Sequence, residues 1–144
     1  MARPRPRPGR RNDFGAIARR IQKLGEQAGV EVGSGLRVIG EVIMTDVKAS
    51  REGHGVPVDT GALRSTGRVT GPTGVRNPSV LLSFGGAAAP YALRQHENLF
   101  YRHTVGEARY LVRGVERFQA DGADAANRAL EANIAQALKK AKVA

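Results

Sequence analysis

The chain has 144 residues, with 23 Lys and Arg against 13 Asp and Glu, and contains neither Cys nor Trp. This length fits one domain whose core is large enough to be stable without a disulfide or a structural metal. The absence of cysteine excludes disulfides, thiolate zinc sites and a cysteine nucleophile. No segment approaches the roughly 18–20 apolar residues of a membrane span, and no apolar segment follows the basic N-terminus, so we expect neither a membrane helix nor a secretory signal.

The first eleven residues carry half of the formal charge of +10. Arginine alternates with proline here, and proline lacks an N–H, fixes its own φ and keeps the preceding residue out of the helical region. We therefore predict an extended arm over residues 1–11, followed by a single domain over residues 12–144. The guanidinium groups suit phosphate or carboxylate oxygens, so DNA and an acidic protein surface are both candidate partners. The arm's arginines are Arg3, Arg5, Arg7, Arg10 and Arg11.

A helical pattern begins after the arm, where Asn12 or Asp13 is suited to cap a helix. Apolar residues recur three or four positions apart from Phe14 to Val47, which predicts one amphipathic face. Three glycines within residues 29–35 interrupt the pattern, each costing about 1 kcal/mol in a helix interior. The alternatives are a kinked long helix and two helices with a break. A continuous helix would be about 60 Å long, so part of it is expected to lie against another subunit.

Short β-like runs follow the first helical region and a Gly- and Pro-rich loop. They lie at Gly67–Thr70, Val80–Phe84 and Tyr91–Gln95, separated by turn residues, which predicts an antiparallel meander. The segment Leu99–Thr104 suits either a further short strand or a loop.

Helical spacing returns at Glu107 and, after an interruption at Asp121-Gly122, continues towards the C-terminus. The whole order predicts an α+β fold with a long N-terminal helix, a small antiparallel sheet and a C-terminal helix.

The segment V-P-V-D-T-G-A-L contains the Asp-Thr-Gly sequence of aspartic-protease active sites, where two carboxylates share a proton. Against a protease, Pro57 lies where the preceding strand should donate hydrogen bonds, and long helices do not suit a small β-barrel enzyme. The alternative is structural: Asp59 or Thr60 caps a short helical turn over Gly61–Arg64. We favour this structural interpretation.

The remaining residues give no signature of a catalytic or metal site. His54, His96 and His103 lack the spacing of metal ligands, and there is no phosphate-binding glycine loop and no serine elbow. We therefore expect no catalytic residue, metal, cofactor or small-molecule substrate, and no enzymatic activity.

Three further motifs stand in order along the chain: V-P-V-D-T-G-A-L-R-S-T, then Y-A-L-R-Q-H-E, then H-T-V-G-E-A-R-Y-L-V-R-G-V. Together they resemble the motifs of the small head–tail joining and tail-completion proteins of long-tailed bacteriophages, which are related to phage minor capsid proteins. The first resembles that family's P-x-D-T-G-x-L-R-x-S signature and the second its Y-A-x-x-x-E strand. The third resembles its G-x-x-(F/Y)-L-x-x-A entry into the last helix. The resemblance covers roughly residues 12–140.

The resemblance implies a structural role without catalysis. Such proteins form rings, generally sixfold or twelvefold, around the DNA channel in the neck of the virion. They contact portal-side, neck and tail proteins, and they assemble in the host cytoplasm. The matching residues are implied to build the domain and its ring contacts. They are Pro57, Asp59, Thr60, Gly61, Leu63 and Arg64 in the signature turn, Tyr91, Ala92 and Glu97 in the strand motif, and Gly106, Tyr110 and Leu111 at the helix entry.

Two other functions stay open at this point. The second is a basic module that grips nucleic acid without reading sequence, for which binding should weaken steeply with salt. The third is a retroviral-type aspartic protease acting through Asp59-Thr60-Gly61.

Overall fold

The computed structural model describes the backbone of residues 14–143, with the side chains in that range except those of Phe14, Ala125 and residues 141–143. The arginine-rich arm and both predicted capping residues, Asn12 and Asp13, lie outside the described residues. The elements in chain order are α1 (Phe14–Lys48), α2 (Ala62–Ser65), β1 (Arg68–Thr73), β2 (Ser79–Ser83), α3 (Ala92–Glu97), α4 (Tyr110–Asp121) and α5 (Ala123–Val143). A long helix, a small antiparallel sheet and C-terminal helices confirm the predicted α+β class.

The first helical region forms one helix, α1, which has 35 residues and is about 52 Å long at 1.5 Å per residue. Residues 29–35 are helical, so one long helix is observed and the alternative of two helices is wrong. α1 ends at Lys48, a few residues before Gly53, Gly55 and Pro57, which the sequence predicts to stop the helix.

The glycines of α1 let the β-hairpin lie directly against the helix backbone. A Cβ at Gly29 would overlap the carbonyl oxygen of Val75, and a Cβ at Gly33 would lie 3.0 Å from the ring of Pro72. A Cβ at Gly40 would lie 3.0 Å from a methyl group of Val69 in β1. The propensity cost of these glycines is therefore offset by close packing that a larger residue would prevent.

The hairpin of β1 and β2 is antiparallel, with Val69 opposite Leu82. Its register shifts between Thr70 and Thr73, and Pro72 lies in this irregular part, where its missing N–H costs no regular ladder bond. α1 also holds the hairpin by a hydrogen bond, because Arg37 Nη1 donates to the carbonyl of Gly71 at 2.6 Å.

The hydrophobic core surrounds the C-terminal half of α1, where α2, α3 and α4 converge. Leu82, Phe84 and Phe118 are partly buried against it. Its buried members are Ile43, Val47, Val56, Leu63, Ala89, Ala92 and Tyr110. The N-terminal half of α1 packs against the hairpin and α5 instead.

α5 follows α4 after the predicted interruption, which is confirmed at Gly122. The Gly122 N–H donates to the Phe118 carbonyl at 2.8 Å and ends α4. The Leu130 side chain of α5 lies over Gly35 of α1, where a Cβ would collide with it. Further along α5, Lys140 lines the same surface groove as Lys23 of α1, so the C-terminal part of α5 lies beside the N-terminal part of α1.

The structure corrects two predicted elements. The run Tyr91–Gln95, predicted as a strand, belongs to helix α3. The helix starts at a turn in which Ala92 N donates to Ala89 O at 3.1 Å. Ala92 faces the core, whereas Leu93 is exposed. Helix α4 begins at Tyr110 rather than at the predicted Glu107, after a residue with positive φ. Leu99–Thr104, for which strand and loop were alternatives, is a loop.

Substituting Gly29 by Ala tests the close packing of the hairpin on α1. We expect Gly29→Ala to lower the free energy of unfolding by about 1–3 kcal/mol, because the new methyl overlaps a backbone carbonyl. The matched control is Gly25→Ala on the same helix, where nothing lies within 4 Å and the better helix former should add about 0.5–1 kcal/mol. Denaturant unfolding of both variants checks this; equal effects would contradict the packing account.

Candidate functional site

Residues from all three motifs meet at the end of the molecule that holds the core. Leu63 of the signature turn, Ala92 of the second motif and Tyr110 of the helix entry are buried in one cluster, and Leu111 packs against it. Ala92 lies on a helix, so the motif expected to be a strand contributes one face of α3. The fold thus joins segments that are far apart in sequence into one unit.

Backbone contacts hold the signature turn against the helix entry. Val58 N donates to Val105 O at 3.4 Å, and Gly106 N donates to Arg51 O at 2.8 Å. Gly106 has a φ of +93°, and a Cβ there would lie 2.5 Å from the backbone of Pro57. Both the backbone angle and the close approach restrict this position to glycine.

The Asp-Thr-Gly segment leads into the short helix α2. Gly61, with a φ of +84°, precedes the helix, and the Ala62 N–H lies 3.4 Å from Thr60 Oγ1. The helical turn therefore begins one residue later than predicted, and Gly61 rather than Asp59 or Thr60 holds its N-cap position. Thr60 Oγ1 accepts only a long hydrogen bond from the first residue of the helix. Asp59 is exposed and makes no hydrogen bond to the described residues, and Arg64 is exposed on α2.

Tyr110 fixes the entry of α4. Only 1% of it is exposed, and its ring meets the rings of Phe84 and His96 edge to face at centroid distances of 5.2 and 4.8 Å. The N–H of Arg109 donates to the His96 carbonyl at 2.7 Å, which ties α3 to the same corner. Burial raises the pKa of Tyr110 to about 12.

A polar cleft of about 270 Å³ lies beside this corner. The signature turn forms one wall, and Tyr91, Gln95 and residues 102–105 form the other. Gln95 Oε1 and His103 Nε2 are buried without a hydrogen-bond partner among the described residues. Asp59 is the only carboxylate among the described lining residues, so the two carboxylates that a protease needs are not brought together within one chain.

The last residue of the second motif, Glu97, lies at the end of α3 rather than in the cleft lining. Its Oε1 lies 2.5 Å from His96 Nδ1, and its side chain is largely exposed. It is therefore a surface residue beside the motif corner.

A network of charged residues, absent from the sequence predictions, clamps α1 to α4. Arg117 Nε lies 2.9 Å from Asp46 Oδ2, and Arg117 Nη1 lies 2.6 Å from Glu107 Oε1. His54 Nε2 lies 3.1 Å from Asp46 Oδ1. Burial lowers the pKa of Arg117, but hydrogen bonds and charges from Glu107 and Asp46 raise it by more. The net pKa is therefore above the usual value, and the guanidinium stays charged. Asp46 and Arg117 are 71 positions apart, and no local pattern in the sequence signals their pairing.

Within residues 14–143 no group of three or more His, Asp or Glu side chains is placed to hold a metal ion. The helices described there also lack a run of apolar residues sufficient to span a lipid bilayer.

No family model, curated protein or solved structure matches this chain. Its function is therefore inferred from its own residues: the converging motifs, the exposed apolar side chains and the distribution of charge.

The burial of Tyr110 predicts a loss of stability at alkaline pH. The unfolded tyrosine ionises near pH 10, whereas the folded one stays protonated to about pH 12. The contribution of protonated Tyr110 to the free energy of unfolding is therefore fully present below pH 10. It falls by roughly 2 kcal/mol as the pH rises from 10 to 12, at 1.36 kcal/mol per pKa unit. Unfolding measured across this range should show the loss in the wild type and in Tyr101→Phe but not in Tyr110→Phe. Parallel curves for all three proteins would contradict it.

Proposed function

We propose that this chain is a structural subunit of the neck of a long-tailed bacteriophage. In this proposal it forms a sixfold or twelvefold ring that joins the DNA-filled head to the tail, surrounds the DNA channel and contacts neck, portal-side and tail proteins in the virion. The three motifs supply the family resemblance. The observation that carries the assembly role is the exposure of large apolar side chains at both ends of α1.

The first exposed apolar surface lies at the N-terminal end of α1, and we name it the tip patch. It consists of Ile17 and Ile21, which are 50% and 65% exposed. They continue the apolar stripe of α1, one helical turn apart, beyond the part that the core covers. In this proposal a neighbouring subunit covers these two isoleucines.

The second exposed apolar surface lies near the opposite end of α1, and we name it the loop patch. It consists of Leu93 on α3 and of Leu99 and Phe100 in the following loop, with Phe100 95% exposed. Because Ala92 of α3 packs in the core with Val47, the loop patch lies beside the C-terminal end of α1. The tip patch is about 40 Å away along the helix.

Two different patches at opposite ends favour contact between unlike surfaces of neighbouring copies. Head-to-tail contact of this kind closes into a ring when the rotation per subunit permits. The length of α1 supports the same conclusion: a compact chain of this size has a radius of gyration of about 15 Å, equivalent to a sphere about 38 Å across, and α1 is longer than that sphere. Neighbouring copies would cover the part of α1 that its own chain leaves exposed.

Removing the gene from the phage that carries it tests the proposed function directly. Electron microscopy of the lysate should show DNA-filled heads and complete tails that stay separate, and adding the purified chain should restore joined particles. Joined, infectious particles without the chain would refute the proposal. In the same assay, a chain lacking residues 2–11 tests the arm: a normal yield of joined particles would show that the arm is dispensable for joining.

The tip patch gives a second test in the joining assay. We expect the double variant Ile17→Asp/Ile21→Asp to lower the yield of joined particles at least tenfold, since about 1.4 kcal/mol of lost contact energy changes a binding constant tenfold. The matched control is Ala120→Asp, an exposed position on α4. Thermal unfolding of both proteins establishes that they fold. An equal yield from the double variant and the control would exclude the tip patch from assembly.

A further inference from the structure

Cationic side chains gather at the end of the molecule where α1 begins and α5 ends, which we name the basic end. Two carboxylates, Glu26 and Glu31, lie there against six cations, a local excess of four positive charges. The cations are Arg19, Arg20, Lys23, Arg76, Lys139 and Lys140. Elsewhere among the described side chains eleven cations accompany ten carboxylates. The fold therefore concentrates at one end a charge that is dispersed along the sequence.

Three elements supply these cations around one groove. The groove has a volume of about 560 Å³ and lies over α1, between the hairpin turn and α5. Lys23 lines it from α1, Arg76 from the hairpin turn and Lys140 from α5. Glu26 and Glu31 of α1 line the same groove, so its lining carries one net positive charge. Residues separated by more than fifty positions thus present their charges to a shared concave surface.

The cations of the groove have no structural partner within residues 14–143. Lys23, Arg76 and Lys140 are exposed and form neither an ion pair nor a hydrogen bond there. Glu26, the nearest carboxylate in sequence to Lys23, instead accepts a hydrogen bond from Gln22 at 3.1 Å. By contrast, Arg117 near the core pairs with two carboxylates through its Nε and Nη1 atoms. The charges of the groove are therefore available to an external anion.

The shape and charge of the basic end favour nucleic acid over a membrane surface. A nucleic-acid backbone offers closely spaced phosphates, and binding them releases counterions. A membrane-surface helix needs a free apolar face along its length, whereas the Gly29–Gly33 face of α1 is covered by the hairpin.

We propose that the basic end of the folded domain binds the phosphate backbone of nucleic acid without reading sequence. Lys23, Arg76 and Lys140 contact phosphate oxygens in the groove, and the other cations surround it. This site lies on the folded domain and is distinct from the arm. The proposal does not rest on the neck function, since it concerns the isolated chain.

Salt-dependent binding of the full chain to a labelled DNA duplex of about 20 base pairs, between about 50 and 200 mM salt, tests the proposal. The variant Lys23→Gln/Arg76→Gln/Lys140→Gln should bind more weakly, and its slope of log K against log salt should be smaller by roughly 2–3, because each phosphate contact contributes about 0.9. The matched control removes three exposed cations elsewhere, Arg68→Gln/Arg94→Gln/Arg128→Gln, and should keep the wild-type slope.

Each other outcome overturns the proposal in a distinct way. Equal losses in both triple variants would show a response to net charge alone. A loss on deleting residues 2–11, with none in the groove variant, would assign binding to the arm. Binding to phosphatidylserine vesicles but not to the duplex would assign the basic end to a membrane. None of these results changes the outcome of the head–tail joining assay, so the two proposals fail separately.

Discussion

Close packing along α1 is the constraint on which the rest of the structure depends. The hairpin rests on the backbone of α1 because Gly29, Gly33 and Gly40 carry no side chain on that face. At Gly35 the same absence makes room for Leu130 of α5. One helix of about 52 Å therefore supports the hairpin, α4 and α5, and it is longer than the core can cover.

The two ends of α1 consequently differ in chemistry. At its C-terminal end the core, the three motifs and the clamp of Arg117 with Asp46 and Glu107 form a tightly connected corner. At its N-terminal end α1 is covered mainly by the hairpin turn and α5, and it exposes Ile17, Ile21 and Lys23. The loop patch is exposed beside the connected corner and the tip patch at the other end, so both ends of α1 offer apolar surface that suits a subunit whose contacts are completed by neighbours.

Sequence patterns predicted the elements that neighbouring residues determine. They missed the features that depend on contacts between segments far apart in the sequence. The period of α1, the hairpin and the Gly122 interruption follow from spacing and turn residues. Residues 29–35 suggested a break because the hairpin that packs on those glycines lies about forty positions away, so only their propensity cost was visible. Tyr91–Gln95 is too short for its period to distinguish strand from helix.

The same distinction holds for the sites. The motif residues Pro57, Leu63, Ala92, Gly106 and Tyr110 were named from sequence, but their convergence, the Asp46–Arg117 pair and the basic end arise from contacts between distant segments. The distribution of charge along the sequence pointed to the arm, whereas the fold shows that the domain also concentrates cations at one end.

The central claim is that this chain is an assembly subunit whose exposed apolar surfaces are covered by copies of itself. The mass of the purified full chain in solution, measured by light scattering over a range of concentrations, tests this most directly. The account predicts a closed species of about six or twelve copies of the 15.4 kDa chain, populated increasingly with concentration. A monomer of 15.4 kDa at every concentration would contradict it.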